Sequence, residues 1–211
     1  MCGIGGFILR RRAERDALER MGERLAHRGP DRKEVFVQGN MGLVHTRLSV
    51  IDPEGGNQPL CTSDGHLVLV ANGEIYNYKE LREQLEFRGH AFSSRSDCEV
   101  ILHAYREYGD DFIKKLAGMF AFALWDGRRR RLILARDRLG IKPLYRLSTP
   151  GGLFFASEIK ALLPFIEGEV RLSPRALAEA LQNQFTAGDS TLIAGIHRVL
   201  PGSYARNWCT E

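Results

Sequence analysis

Four short stretches of this sequence carry residue types that could do chemistry, and they are scattered: Cys2 in MCGIGGF, Arg47 in HTRLSVID, Asn72-Gly73 in LVLVANGEIYN, and Asp97 in SRSDCEV. A thiol attacks as its thiolate and needs a base. If Met1 is removed, Cys2 carries its own free α-amine. Such an amine titrates at about 7.7–8.0, close to ideal for a general base at neutral pH. The base would then sit on the nucleophile's own residue, as in terminal-threonine enzymes. Gly3, Gly5 and Gly6 would leave room for backbone and substrate beside the sulfur. Read alone, Cys2 is better explained as a small buried hydrophobe at the start of a strand; the other stretches reverse that.

The other stretches supply partners for such a nucleophile. A strand ending in Asn72-Gly73 sets an amide side chain beside a backbone N–H, the equipment of an oxyanion hole, although Asn-Gly is also a common hairpin turn. Arg47 in an apolar strand requires a carboxylate, from a ligand or from the protein itself. Asp97 stands near a helix start, where it would serve as an N-cap or as a clamp for an ammonium. RDRLGIKPLY, dense in charge and turn residues, suits a loop or an interface more than a reacting centre.

These residues need elements to bring them together. CGIGGFIL, KEVFVQ, MGLVHTRLSVI, HLVLVANGEIYN and GGLFFAS read as strands. Ala17, Leu18, Met21 and Leu25 lie at helical spacing, as do Leu81 with Leu85 and Val100, Ile101, Ala104 with Tyr108. Gly89 reads as a helix C-cap, and Ser173-Pro174 opens a further helix. SEIKALL reads as a short helix. Asp126-Gly127 suggests a hairpin closed by a type I′ turn. Met119 to Trp125 is apolar at every position, so both faces of that strand are covered. Two packed sheets with helices outside satisfy this pattern.

Composition narrows the classes. A chain of 211 residues, 44% hydrophobic and 27% charged, is globular, and no apolar run approaches a membrane span. Thirty basic and 26 acidic side chains leave only +4. The clusters Arg10–Arg12 and Arg128–Arg131 lack interleaved aromatics, so a nucleic-acid partner is not expected. Cys2, Cys61, Cys98 and Cys209 show no C-x-x-C spacing, which argues against bound metal and fits a reduced, cytoplasmic compartment.

Ten motifs in order, MCGIGGF, HRGPD, HTRLSVID, NQPL, NGEIYNY, LREQL, SDCEVIL, GMFAFALWD, ARDRLGIKPLY and FASEIKALL, closely resemble the N-terminal glutaminase domain of glutamine-hydrolysing asparagine synthetases. These are class II, N-terminal-nucleophile (Ntn) glutamine amidotransferases. The resemblance implies an α+β fold, the four-layer αββα sandwich of Ntn hydrolases, over residues 1–200, with 201–211 a tail or the start of a linker. Glutamine has the carboxylate, the ammonium and the electrophilic amide that the scattered residues could hold. By the resemblance Cys2 is the nucleophile, with Asn72 and Gly73 the oxyanion hole. Arg47 then holds the α-carboxylate of glutamine, Asp97 with Glu74 its α-ammonium, and backbone near Val50 lines the pocket. The departures are RKEVF after HRGPD, where the family places a glycine, and the tail after Tyr204. The family's Ser-Gly-Gly-x-Asp-Ser loop does not occur in these residues. ATP and Mg are therefore expected only in a synthetase domain, C-terminal or separate, and no cofactor is expected in this chain. A homodimer is possible. A non-catalytic interaction module of the same fold, or a subunit serving a different ammonia acceptor, stands as the alternative.

Overall fold

In this computed structural model, residues 1–49 and 56–205 are described. The elements run β1 (Gly3–Leu9), α1 (Arg15–Leu25), β2 (Arg32–Gln38), β3 (Met41–Arg47), β4 (Leu60–Cys61), β5 (Leu67–Ile75), α2 (Tyr78–Phe87), α3 (Glu99–Tyr108), α4 (Phe112–Lys115), β6 (Gly118–Asp126), β7 (Arg131–Arg136), β8 (Tyr145–Thr149), β9 (Gly152–Ala156), α5 (Pro174–Asn183), β10 (Ile196–Arg198) and β11 (Tyr204–Ala205). Two antiparallel sheets result. One has the order β10-β8-β9-β1-β3-β2 and the other β11-β7-β6-β5-β4.

The apolar strands alternate between two cores rather than between core and water. In β6, Phe120, Phe122 and Leu124 pack toward α2 and α3 with Leu81, Leu85, Val100 and Ile101. Their neighbours Ala121, Ala123 and Trp125 pack against the other sheet with Ile4, Ile8, Met41 and Leu43. A third core joins the first sheet to α1 through Phe7, Leu9, Val44, Leu18, Met21 and Leu25. Three cores separate four layers, helix, sheet, sheet and helix, as the doubly buried strands require.

Several local expectations change. Gly3 and Gly5 do not face the cleft. A Cβ on Gly3 would sit 2.5 Å from Thr46 Oγ1 and 3.0 Å from Leu25 Cβ, and one on Gly5 would sit 2.5 Å from Met21 Sδ. A Cβ on Gly6 would lie 2.8 Å from the Phe155 ring. These glycines let α1 and the side chains of the neighbouring strands β3 and β9 approach β1, which is a packing role. The β6–β7 hairpin forms, but without a type I′ turn. The left-handed residue is Arg130 (φ 50°), and the Asp126 carboxylate accepts the N–H groups of Arg128 and Arg129. SEIKALL forms short 3-10 turns at Ile159–Ala161 and Leu163–Phe165 instead of an α-helix. RKEVF after HRGPD is the start of β2. Ser173 does cap α5, accepting the Ala176 N–H at 3.3 Å.

Candidate active site

The site forms where the inter-sheet core runs out. In β1, Ile4 and Ile8 face the second sheet, so the same alternation turns Cys2 that way. In β3, Met41 and Leu43 face it, and His45 and Arg47 follow at the same period. Ile4 pairs with His45 and Gly3 with Thr46, so Cys2 continues the ladder beside Arg47. From the opposite sheet, Val68 and Val70 of β5 face this core, and Asn72 and Glu74 continue their face. A cleft of about 240 Å³ opens there. It is lined by Cys2, Arg47, Asn72, Gly73, Glu74 and Asp97, and also by His45, Gln58, Cys98 and Lys142.

Asn72-Gly73 does not end its strand. β5 continues to Ile75, with Asn72 opposite Ala121 and Gly73 opposite Phe120. β6 covers one edge of β5 throughout, while β4 covers the other only at Val68 and Leu69. Beyond β4, alternate N–H groups reach an open edge. Gln58 Oε1 takes the Ala71 N–H at 2.6 Å, and Asp97 Oδ2 takes the Ile75 N–H at 2.8 Å. By the same alternation the Gly73 N–H lies between these two and is open toward the cleft. Only glycine fits there, because a Cβ would stand 2.6 Å from Phe120 Cα and overlap the Met119 carbonyl. Beside it, Asn72 Nδ2 is buried with no hydrogen-bond partner among the described residues. A buried donor without a partner is costly, and at a site it serves a ligand. Two donors aimed at one space can stabilise an oxyanion.

The remaining groups are held in place. Cys2 Sγ accepts the Leu48 N–H at 3.4 Å, and the Arg28 guanidinium donates to the Cys2 carbonyl at 3.0 Å while pairing with Glu158 at 2.8 Å. Arg47, almost fully buried, donates to Asn57 Oδ1. Asp97 is not a helix cap: α3 starts at Glu99 behind Cys98, with no side-chain capping bond. Burial pushes the Asp97 carboxyl above the ordinary carboxylate range against its hydrogen bond from Ile75, and Glu74 adds to the rise. A ligand cation would relieve both effects. The second cysteine in the cleft, Cys98, is fully buried, and burial with Asp97, Cys2 and Glu74 nearby holds its thiol well above the ordinary range. That leaves Cys2 as the accessible thiol of the cleft. Val50 lies outside the described residues. Among those described, no three His, Cys, Asp or Glu side chains gather as a metal ion would need.

Sequence reasoning missed His45, Gln58, Cys98 and Lys142. His45 was within reach, since it shares the face of Arg47 two residues away. Among the described residues its buried Nε2 has no partner, so the bond to the Ala71 carbonyl falls to Nδ1, which sets the neutral tautomer. Gln58 stood in NQPL, but its task depends on where β4 stops. Lys142 lay in the stretch read as a loop. That stretch is a loop, yet it reaches the cleft.

Comparison with known proteins places the chain in a family. A family profile described as a glutamine amidotransferase domain matches residues 1–210. The glutamine-hydrolyzing asparagine synthetase 1 of Bacillus subtilis is 41% identical over 208 residues, 96% of this chain and 33% of that protein. The glutamine-hydrolyzing asparagine synthetase 2 of Arabidopsis thaliana is 47% identical over 166 residues, 77% of this chain and 28% of that protein. The chain thus spans about a third of the length of the curated relatives it matches. Among solved structures, the glutamine phosphoribosylpyrophosphate amidotransferase of Bacillus subtilis superposes with a TM-score of 0.62 at 23% identity, covering 76% of this chain and 43% of that one, a likeness of fold. On the match along its length and the identity to these relatives, the chain belongs to the glutamine amidotransferase domain family.

Proposed function

We propose that this chain hydrolyses the side-chain amide of glutamine through a thioester on Cys2. The observation that carries the reading is the meeting, in one cleft, of the Cys2 thiol with the unpartnered Asn72 Nδ2 and the open Gly73 N–H. With Met1 removed, the Cys2 α-amine takes the thiol proton as sulfur attacks the amide carbon. Asn72 and Gly73 hold the resulting oxyanion, and a single donor of this kind contributes about 3–4 kcal/mol in the transition state. The amine returns the proton to the leaving nitrogen and ammonia departs. Water then cleaves the thioester to glutamate. Arg47 receives the α-carboxylate of glutamine and Asp97, with Glu74, its α-ammonium.

The length of the relatives supports a further, synthetase domain, C-terminal or separate; we propose that domain as the consumer of ammonia, with aspartate as its acceptor and ATP and Mg its requirements. Among the described residues no helix is long and apolar enough to cross a membrane, which suits the cytoplasm as the place of this work. The test is glutamate release from glutamine by protein whose N-terminus is confirmed by mass spectrometry to be Cys2. Activity lost on Cys2→Ala supports the mechanism, and full activity in that variant overturns it.

A further inference from the structure

The cleft holds more charge than glutamine uses. The zwitterion engages Arg47 at its carboxylate and Asp97 with Glu74 at its ammonium. That leaves Lys142, 7% exposed and lining the same cleft. Among the described residues no carboxylate lies within ion-pair distance of its ammonium, whose polar contact is the Met1 thioether sulfur at 3.3 Å, a weak acceptor. A buried cation without a counter-ion is expensive and persists only if the surroundings impose it. They do. The Asp137 carboxylate accepts the N–H groups of Phe120, Leu139, Ile141 and Lys142 at 3.0–3.3 Å. The Arg136 guanidinium donates to the Lys142 carbonyl at 2.7 Å and to the Gly140 carbonyl at 2.7 Å. The backbone of Lys142 is thus pinned on both sides, and its ammonium contacts the side-chain sulfur of Met1, the residue that precedes Cys2.

Building on the proposed role of the Cys2 α-amine, we propose that Lys142 is a positioning residue whose ammonium keeps that amine unprotonated once Met1 is gone. Removing Met1 takes away the contact atom of Lys142 and puts a free amine in the neighbouring space. Two ammonium groups in one cleft repel, so the neutral amine, the form that accepts the thiol proton, is favoured. Other charges face the same space. Arg47 from β3 and the Arg28 guanidinium, bound to the Cys2 carbonyl, act in the same sense as Lys142, although Arg28 is offset by Glu158. Glu74 from β5 and Asp97 before α3 act in the opposite sense until the ammonium of glutamine occupies them. His45, neutral above pH 5, and the protonated Cys98 add no charge. Among the described residues, Lys142 is the cation of this set that has no carboxylate partner and no assigned place on glutamine.

The test is the pH profile of kcat/KM for glutamate release by processed wild-type, Lys142→Met, Lys142→Gln and Lys142→Arg enzymes. Without the cation the amine holds its proton to higher pH, so the acid limb of Lys142→Met and Lys142→Gln moves up by about one pH unit, with activity recovering on the alkaline side. Lys142→Arg keeps the wild-type limb. Acid limbs unmoved in Lys142→Met and Lys142→Gln, with rates lowered equally at every pH, overturn the proposal. A separate pair isolates the underlying reading: protein with a cleavable N-terminal tag, assayed before and after cleavage exposes Cys2. Equal activity before and after defeats the α-amine mechanism itself, whatever Lys142 does.

Discussion

His45 gives a prediction whose size follows from its surroundings. Burial lowers the imidazole from its ordinary 6.5 to about 4, a fall opposed by the hydrogen bond to the Ala71 carbonyl and assisted by the Arg47 cation. In the unfolded chain the ring takes up its proton as pH drops through the ordinary value, while the native ring stays neutral until about pH 4. The stability linked to His45 is therefore fully present above the unfolded value and is lost as pH falls toward the folded one. Between pH 7 and pH 4 the loss comes to about 3 kcal/mol, because each unit of difference is worth about 1.4 kcal/mol. The assay is urea unfolding at pH 7, 6, 5 and 4 for wild type and His45→Gln, in which an amide N–H remains to meet the Ala71 carbonyl. Carboxylates such as Glu99, held down at about 2 by His103, Ser93 and Ser94 against its burial, titrate in both proteins and cancel in the difference. The wild-type curve should fall toward that of the variant by about 3 kcal/mol across this range. A difference constant to within about 0.5 kcal/mol would refute the reasoning.

Asn72→Ala should lower kcat about 100- to 1,000-fold with little change in the KM for glutamine. Its thermal stability should hold to within about 1 kcal/mol, since Nδ2 has no partner among the described residues to lose; a large fall in melting temperature with kcat preserved would make the amide structural. Asp97→Asn should raise the KM for glutamine about tenfold or more, through loss of a charge-assisted bond to the α-ammonium. A carboxyl whose folded pKa is raised favours the fold below its unfolded value and loses that contribution as pH rises through the folded value, so the unliganded variant should be no less stable than wild type at pH 7. Calorimetry of both proteins across this range, and glutamine kinetics at pH 7.5, check the two halves.

The chemistry was more legible than its supports. Cys2, Arg47, Asn72 and Asp97 stood out because a nucleophile, a cation in an apolar strand and an amide before glycine are each unusual in their settings. Asn72-Gly73 was misjudged in its local form. It is a continuous strand with one uncovered edge, and nothing in the residues themselves reports where β4 stops. Gln58 became meaningful only once that edge needed an acceptor for the Ala71 N–H. Gly3 and Gly5 were assigned to the substrate, but they accommodate Leu25 and Met21 of α1, contacts between segments some twenty residues apart in the chain.

By itself the sequence determined the layers. Period-two strands apolar on both faces must be covered twice, and helices with one apolar stripe must lie outside them. It also determined which residue types were available for attack and for holding charge. Tertiary structure decided which of those residues meet. Residues 2, 47, 72 and 97 come together because β1 and β3 of one sheet and β5 of the other end their shared core at the same place. Lys142 joins them because a buried carboxylate winds its loop back to that end. Strand alternation is local and can be read along the chain. The register between two sheets, and the point where a neighbouring strand stops, are set by contacts among distant residues.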